Sequence, residues 1–114
     1  MIVEERTYDL LPGRLPDYVK LIQEEGIAIQ RPILGRLVGY YFSDLGPLNQ
    51  IVHIWAYESF ADRAERRARL AADPRWQAYS QKVRVLSIRQ QNKILLPMSF
   101  SPIPPLPSDD DRHA

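Results

Sequence analysis

The chain of 114 residues contains no cysteine, only five glycines and only two histidines. The absence of cysteine excludes disulfide bonds, thiolate nucleophiles and thiolate metal sites, and it permits a reducing compartment. Basic residues exceed acidic ones by a single charge, which argues against nucleic acid or an anionic membrane as a partner. A chain of this length suits one domain with one core.

Long apolar runs are also missing, and none approaches the roughly 20 residues that span a bilayer. Residues 1–3 lead directly into charged residues, so we expect no signal peptide and a cytoplasmic location. The sequence has no glycine-rich phosphate loop, no G-x-S-x-G nucleophile motif and no metal-ligand spacing. It therefore predicts neither a metal nor a cofactor.

The secondary-structure pattern is clearest in the middle of the chain, where an apolar strand leads into an arginine-rich helix. Residues 50–57 are apolar on both alternating faces, which predicts an inner strand of a sheet that is covered on both sides. Ser59 is the expected N-cap of the helix, which should break where Asp73 caps a second segment that begins with Pro74. That second segment carries an apolar stripe starting at Trp76, which is expected to lie in the core.

The same patterns predict four strands and a first helix. The strands are expected at 2–10, 34–43, 50–57 and 88–97. Turn residues at 44–48 make the second and third strands an antiparallel hairpin. The helix is expected from 14 to 31, with a bend or a close contact at Gly26 and a stop at Pro32. The order β-α-β-β-α-β predicts an α+β, ferredoxin-like fold with a four-stranded antiparallel sheet.

The last residues differ in composition from the rest. Residues 1–100 form the predicted domain, and residues 101–114 form a tail that is rich in proline and then acidic. Proline fixes an extended backbone and removes donors, so the tail should form neither helix nor strand. Its proline spacing superficially suits an SH3 or WW ligand, but a stiff arm lying on the domain or on a dimer mate is the favoured interpretation.

One face of the strand at 50–57 carries side chains with chemical capacity. His53, Trp55 and Tyr57 alternate along it, and we hypothesise that they line a small-molecule pocket. His53 would serve there as a hydrogen-bonding group or a weak general base, the one weak catalytic candidate in the chain. An inward Arg66 or Arg67 would contact an anion, and spacing alone leaves open which of the two points inward.

The competing interpretations of these residues are structural. A strand histidine is often half-buried and bonded to a neighbour, and aromatic residues are most often part of the core. The helical arginines have carboxylates at i,i+4, as Arg66 has Asp62, which favours a solvated and self-paired face. Arg6, in the first strand, is expected to be solvated or paired.

Several short fragments together resemble the NIPSNAP domain. They are Glu4-x-Arg6-Thr7-Tyr8, Pro12-Gly13, Leu37-Val38-Gly39, Asn49-x-x-x-His53-x-Trp55-x-Tyr57, Arg63, Arg66 or Arg67, Leu70, Asp73-Pro74, Trp76 and Leu95-Leu96-Pro97-x-x-Phe100. The resemblance covers residues 1–100, and Glu5 departs from it because an apolar residue is expected there. It implies a ferredoxin-like fold of the dimeric α/β-barrel group.

The resemblance also implies two kinds of function. Other dimeric α/β-barrel families include monooxygenases and haem-handling proteins, which suggests a small-molecule-binding protein or a cofactor-independent enzyme. NIPSNAP proteins are linked with protein interactions, which suggests instead a non-catalytic homodimeric adaptor module. A pocket beside His53 would favour the first function, and an interior filled with side chains would favour the second.

The predicted sheet should be covered by its own helices on one face only. Its other face carries large apolar residues from the second and third strands, and such a patch is larger than monomers usually leave in water. We therefore expect a symmetric homodimer in which two sheets pack face to face.

Overall fold

The computed structural model describes residues 1–107, which form one four-stranded antiparallel sheet packed against helices. The strands are β1 (Ile2–Leu10), β2 (Arg36–Phe42), β3 (Gln50–Tyr57) and β4 (Ser87–Leu95). The helical segments are α1 (Leu15–Leu21), a π-helical turn (Ile22–Gly26), α2 (Ile27–Leu34), α3 (Phe60–Ala72) and α4 (Pro74–Arg84). The strand order β2-β3-β1-β4 places β3 inside the sheet. The predicted ferredoxin-like α+β fold is confirmed.

The face of the sheet that packs on the helices is apolar at both ends and polar in the middle. Its two apolar clusters consist of Leu10, Tyr18, Ile22, Ile51, Tyr79 and Leu86, and of Ile2, Leu34, Trp55, Tyr57 and Leu70. Between them along β1 and β3 lie Arg6 and His53, which are opposite each other in the strand register. Directly opposed residues of an antiparallel pair point to the same side of the sheet. The two polar side chains therefore meet in the interior.

The π-helical turn between α1 and α2 ends at Gly26, where the helix approaches α4 closely. A Cβ atom at this position would lie 2.5 Å from Cζ of Tyr79 and 2.6 Å from Cδ1 of Ile22. No side chain larger than hydrogen fits without displacing the tyrosine ring. The close contact expected at Gly26 is confirmed, and π-helical turns of this kind often occur at functional sites.

The helix continues through Pro32 to Leu34, so the predicted stop at Arg31 is wrong. Proline removes one main-chain donor, but it does not by itself end a helix whose later residues are held by other contacts. The end is set at Gly35, whose φ of 91° favours glycine and whose N–H donates to the carbonyl oxygen of Arg31 at 2.9 Å. The second strand consequently begins at Arg36 rather than at residue 34.

The helices after β3 begin and end as the capping residues indicate. Oγ of Ser59 accepts a hydrogen bond from the main-chain N–H of Asp62 at 3.0 Å, and the break between α3 and α4 falls at Asp73. The core position expected for Trp76 holds in part, because the residue is only partly buried but packs against both apolar clusters. The buried aromatic residue of α4 is Tyr79, which is 2% exposed.

The proline-rich tail lies on the protein as far as it is described. It leaves β4 at one edge of the sheet and reaches β2 at the opposite edge. There Nη1 of Arg36 donates to the carbonyl oxygen of Pro104 at 3.0 Å, and the side chain of Leu106 covers Gly35. Residues 108–114, which include the acidic part of the tail, lie outside the described residues. Across residues 1–107, no helix combines the length and apolar character needed to cross a membrane.

Candidate functional site

A cavity of about 660 Å³ lies between the polar middle of the sheet and the helices. Its aromatic wall consists of Tyr8, Tyr18, Tyr40, Trp76 and Tyr79, which come from four different elements. Its charged lining residues are Arg6, Arg67 and Arg84, and no acidic side chain of residues 1–107 lines it. Small-molecule sites in proteins have volumes of roughly 300–1,000 Å³. The volume of the cavity is therefore within the range of ligand sites, and its charged lining residues are all positive.

His53 lines the cavity as a hydrogen-bond donor. Nε1 of Trp55 donates to Nδ1 of His53 at 2.8 Å. Because an indole N–H only donates, Nδ1 is the unprotonated nitrogen and the imidazole proton resides on Nε2. Nε2 is buried and has no hydrogen-bond partner within the described chain. The lone pair that a general base needs is thus already occupied, and Nε2–H has no acceptor among residues 1–107.

The imidazole of His53 is neutral at physiological pH. Burial, and then the charges of Arg6 and Arg67, lower its pKa to about 3. The ring of Tyr40 stacks on it with a centroid distance of 4.5 Å and an interplanar angle of 15°, while the Tyr8 ring packs at 5.2 Å. These rings hold the imidazole in place and exclude the water that would stabilise its charged form.

The tyrosine hydroxyls at the cavity are neutral as well. The hydroxyls of Tyr18 and Tyr40 are 3.0 Å apart and share a hydrogen bond. Burial raises the pKa of both phenols, so neither serves as a base near neutral pH. Burial also raises the pKa of Tyr79, whose hydroxyl has no partner among residues 1–107.

Two of the three arginines that line the cavity, Arg6 and Arg67, have different environments. Arg6 is 5% exposed and donates to Oε2 of Glu4 at 3.1 Å and to the hydroxyl of Tyr8 at 3.0 Å. Arg67 lines the same cavity and makes no hydrogen bond or ion pair with any other residue of the described part of the chain. Burial, and then the charge of Arg6, lower the pKa of Arg67. Arg67 is thus a partly buried guanidinium without a hydrogen-bonded partner in the described chain, and the carboxylate of Glu4 favours its charge only from a distance.

Glu4 lies behind the cavity and compensates two arginines with one carboxylate. It is fully buried, and its Oε2 accepts from Nη1 of Arg6 at 3.1 Å and from Nη2 of Arg63 at 2.7 Å. Burial alone would raise the pKa of Glu4, but the hydrogen bond from Arg63 and the nearby arginine charges outweigh it and keep the pKa low. Glu4 is therefore ionised. Its hydrogen bonds go to Arg6 and Arg63, and none goes to Arg67.

The structure brings two of the five predicted site residues to the cavity. His53 and Arg67 line it. Trp55 and Tyr57 are fully buried in the apolar core next to it, and Trp55 reaches the site only through its hydrogen bond to His53. Arg66 turns away to bond a carboxylate on its own helix and a main-chain carbonyl of α2.

Sequence reasoning missed most of the cavity wall. The missed residues include Arg6, Tyr18, Gln30, Tyr40 and Tyr79. Arg6 was interpreted as a solvated or paired strand residue; it is paired, but it is buried rather than solvated. Its position opposite His53 in the pairing of β1 with β3 was the signal that would have located it. The helical residues carried no such signal, because their inward direction depends on helix packing.

Three buried polar atoms at the cavity have no partner within residues 1–107. They are Oε1 of Gln30, Nε2 of His53 and the hydroxyl oxygen of Tyr79. Buried polar groups in folded proteins are nearly always hydrogen-bonded, so these three unpaired atoms mark this region as polar beyond what a core needs. The same part of the chain holds no group of three or more histidine or acidic side chains arranged to bind a metal ion.

The chain matches one family profile and several solved bacterial structures. The NIPSNAP family profile matches residues 3–102. The structure is similar to a NIPSNAP-like domain protein from Burkholderia xenovorans, with 58% identity, a TM-score of 0.93, and coverage of 96% of this chain and 97% of that one. A NIPSNAP family protein from Agrobacterium tumefaciens is 55% identical, with a TM-score of 0.86 over 89% of this chain and 96% of that one.

More distant relatives share only part of their length, or only their fold, with this chain. The protein NipSnap homolog of Dictyostelium discoideum is 34% identical over 97 residues, which is 85% of this chain but only 43% of that protein. The chain thus spans less than half the length of this curated relative. A putative antibiotic biosynthesis monooxygenase from Nitrosomonas europaea is 14% identical with a TM-score of 0.63, over 86% of this chain and 99% of that one, and shares the fold alone. The profile match and the bacterial structures show that the chain belongs to the NIPSNAP family.

Proposed function

We propose that this protein binds a small molecule in the cavity between its sheet and its helices. The observation that carries the proposal is that three residues lining the cavity, Gln30, His53 and Tyr79, each hold a buried polar atom without a partner among residues 1–107. An unsatisfied buried donor or acceptor costs about 1–3 kcal/mol. A protein that needed this region only as a core would reach higher stability with apolar side chains there.

The dimensions of the cavity support binding over a purely structural interior. The volume of about 660 Å³ is lined by residues from all four strands and from the helices, and it is partly open to solvent. An adaptor module that acts only through its outer surface has no need of such a space, and a packed core leaves few voids larger than a water molecule. Ligand binding is therefore favoured over the non-catalytic adaptor.

The proposal extends from binding to catalysis: the bound molecule would be the substrate of a reaction that needs no cofactor. Arg67 and Nε2–H of His53 are preorganised donors of the kind that stabilise negative charge developing on a substrate oxygen. The imidazole lone pair is already used and the tyrosines are neutral, so proton abstraction by these residues is disfavoured. A reaction at this site would proceed through charge stabilisation rather than through a protein base.

Filling the cavity should abolish ligand binding. Ala71 lines the cavity, and the neighbouring Ala72 does not. In Ala71→Phe the new ring would occupy the space, whereas Ala72→Phe is a matched control on the same helix. We expect small molecules retained through purification, detected by native mass spectrometry, and fragment hits found by ¹⁹F NMR, to be lost in Ala71→Phe and kept in Ala72→Phe. Hits that persist in both variants, or no hits to the wild type, would contradict the proposal.

The protein in this proposal is a homodimer that forms through the open face of the sheet. On that face Tyr41 lies opposite Val52, and Val3 lies opposite Leu95. Tyr41 is 55% exposed and Leu95 is 39% exposed, so apolar surface is available on both edge strands. A sheet face of this composition is expected to pair with its equivalent in a second copy.

Light scattering at micromolar concentration should give twice the mass of one chain. Ile54, which is partly buried in β3 on the same open face, should break the dimer when replaced by glutamate, because the interface would then bury an unpaired charge. Val85→Glu is the control, since this exposed residue follows α4 on the other side of the molecule. A monomeric wild type, or equal masses for the two variants, would refute the dimer.

A further inference from the structure

We infer that the ligand of this cavity is a monocarboxylate on a planar ring, and that its carboxylate is received by Arg67 and by Nε2–H of His53. The inference rests on the proposed binding function and specifies its ligand class. It depends on three properties of the cavity: its charge, the fixed direction of its donors and the composition of its wall.

The charge of the cavity selects an anion. All three charged lining residues are arginines. The buried carboxylate closest to them, Glu4, is already shared between Arg6 and Arg63. Arg67 therefore has no ion-pair partner within the described chain, and the neighbouring charge of Arg6 opposes its own more strongly than the carboxylate of Glu4 favours it. A partly buried guanidinium in this position is unfavourable until an anion joins it, and arginine binds carboxylates through two parallel hydrogen bonds.

The fixed tautomer of His53 selects a hydrogen-bond acceptor. Because Nδ1 accepts from Trp55, the only hydrogen-bonding group that this lining residue has left is Nε2–H, which is buried and without a partner among residues 1–107. The imidazole also keeps this form over the physiological range, since burial and nearby charges oppose its protonation. An ammonium or amide N–H at this place in a ligand would face another donor. A carboxylate oxygen is the acceptor that satisfies both His53 and Arg67.

The wall of the cavity fits a flat apolar body. The rings of Trp76 and Tyr79 are 4.9 Å apart and tilted by 36°, so they present adjoining faces on α4. Tyr8 and Tyr40 cover the opposite side around His53. Phosphate groups are commonly held by glycine-rich loops or by main-chain N–H groups at helix N-termini, and none of the lining residues is glycine. A ring with one carboxylate matches the site better than a phosphate does.

Benzoate and its uncharged analogue benzamide test the inference directly. Titration followed by the indole N–H resonance of Trp76 in two-dimensional NMR should show saturable benzoate binding. Benzamide should bind at least about tenfold more weakly, because it lacks the charge that pairs with arginine. Inorganic phosphate should not displace benzoate at equal concentration. Equal affinity of the two aromatic probes, absence of benzoate binding, or displacement by phosphate would each overturn the assignment.

The variant Arg67→Gln locates the charge contact. It should weaken benzoate binding by at least about tenfold and leave benzamide binding nearly unchanged. The control is Arg69→Gln on the exposed side of α3, which should bind both probes as the wild type does. The ligand-free Arg67→Gln protein should melt at or above the wild-type temperature, because an uncompensated charge has been removed. A lower melting temperature would indicate a structural brace and would overturn the role of Arg67.

The outcomes also separate this inference from the proposed function. A neutral fragment that binds the wild type and is excluded by Ala71→Phe, with no response to benzoate, would leave the binding function intact and refute the carboxylate. No binding of any fragment to the cavity would refute both.

Discussion

Replacing Glu4 with glutamine should lower the free energy of unfolding by about 3–5 kcal/mol, as breaking a buried ion pair typically does. The carboxylate is fully buried and accepts from Arg6 and Arg63 at 3.1 and 2.7 Å. Glutamine has nearly the same shape, so little packing is lost. What remains is the guanidinium of Arg6, 5% exposed, facing a neutral amide and the uncompensated charge of Arg67. The change would be measured by urea denaturation at pH 7.

Two controls separate the buried charge from general effects of the substitution. Glu65→Gln removes a carboxylate that is 72% exposed and 4.0 Å from Arg69, so it should change stability by less than about 0.5 kcal/mol. Arg63→Gln should cost less in the Glu4→Gln background than in the wild type, because the partner has already been lost. Unfolding midpoints for Glu4→Gln that match those of Glu65→Gln would show that the pairing carries no stability.

The strands were the most predictable part of the fold, because the two faces of a strand are formed by alternate residues and can be assigned from the sequence. β1 and β3 begin and end where the pattern of residues 2–10 and 50–57 places them. The end of α2 was not predictable in this way. It depends on the conformation of Gly35 and on a hydrogen bond from Arg66, and both contacts exist only after the chain has folded.

The site shows the same division between local pattern and packing. Alternation correctly placed His53, Trp55 and Tyr57 on one face, but it does not state how deep each side chain lies. The cavity opens only over His53, since the residues beyond it along β3 are sealed in the core. Depth is decided by which helix covers each part of the sheet, and the sequence of a strand carries no information on that.

The choice between Arg66 and Arg67 also depended on packing. Consecutive residues of a helix point in directions about 100° apart. The sequence spacing therefore shows that one of the two arginines can point inward, but it does not show which one. Arg66 is drawn away by Asp62 and by the end of α2, and Arg67 is left to face the cavity. The ion pairing of α3 with its own carboxylates thus holds for Arg66 but not for Arg67.

The protein should lose about 2 kcal/mol of stability as the pH falls from 7 to 5, through His53 alone. Its pKa is lowered to about 3 in the folded protein from an ordinary value of 6.5. Between pH 6.5 and pH 3 the imidazole is protonated in the unfolded chain but not in the folded protein. Lowering the pH in this range therefore favours the unfolded state. The contribution of the neutral ring is complete above about pH 6.5 and is lost progressively as the pH falls toward 3, at about 1.4 kcal/mol per unit.

Urea denaturation at intervals between pH 7 and pH 5 isolates this effect. Glu4, Asp62 and other carboxylates with lowered pKa values add losses of the same sign, but mainly below their ordinary values near 4. His53→Gln keeps an acceptor for the indole N–H of Trp55 and has no titrating group, so its stability should be nearly flat over this range. His113→Gln removes the other histidine and should retain the wild-type slope. A flat wild-type profile, or a slope that follows His113, would show that the imidazole of His53 is not held neutral by burial.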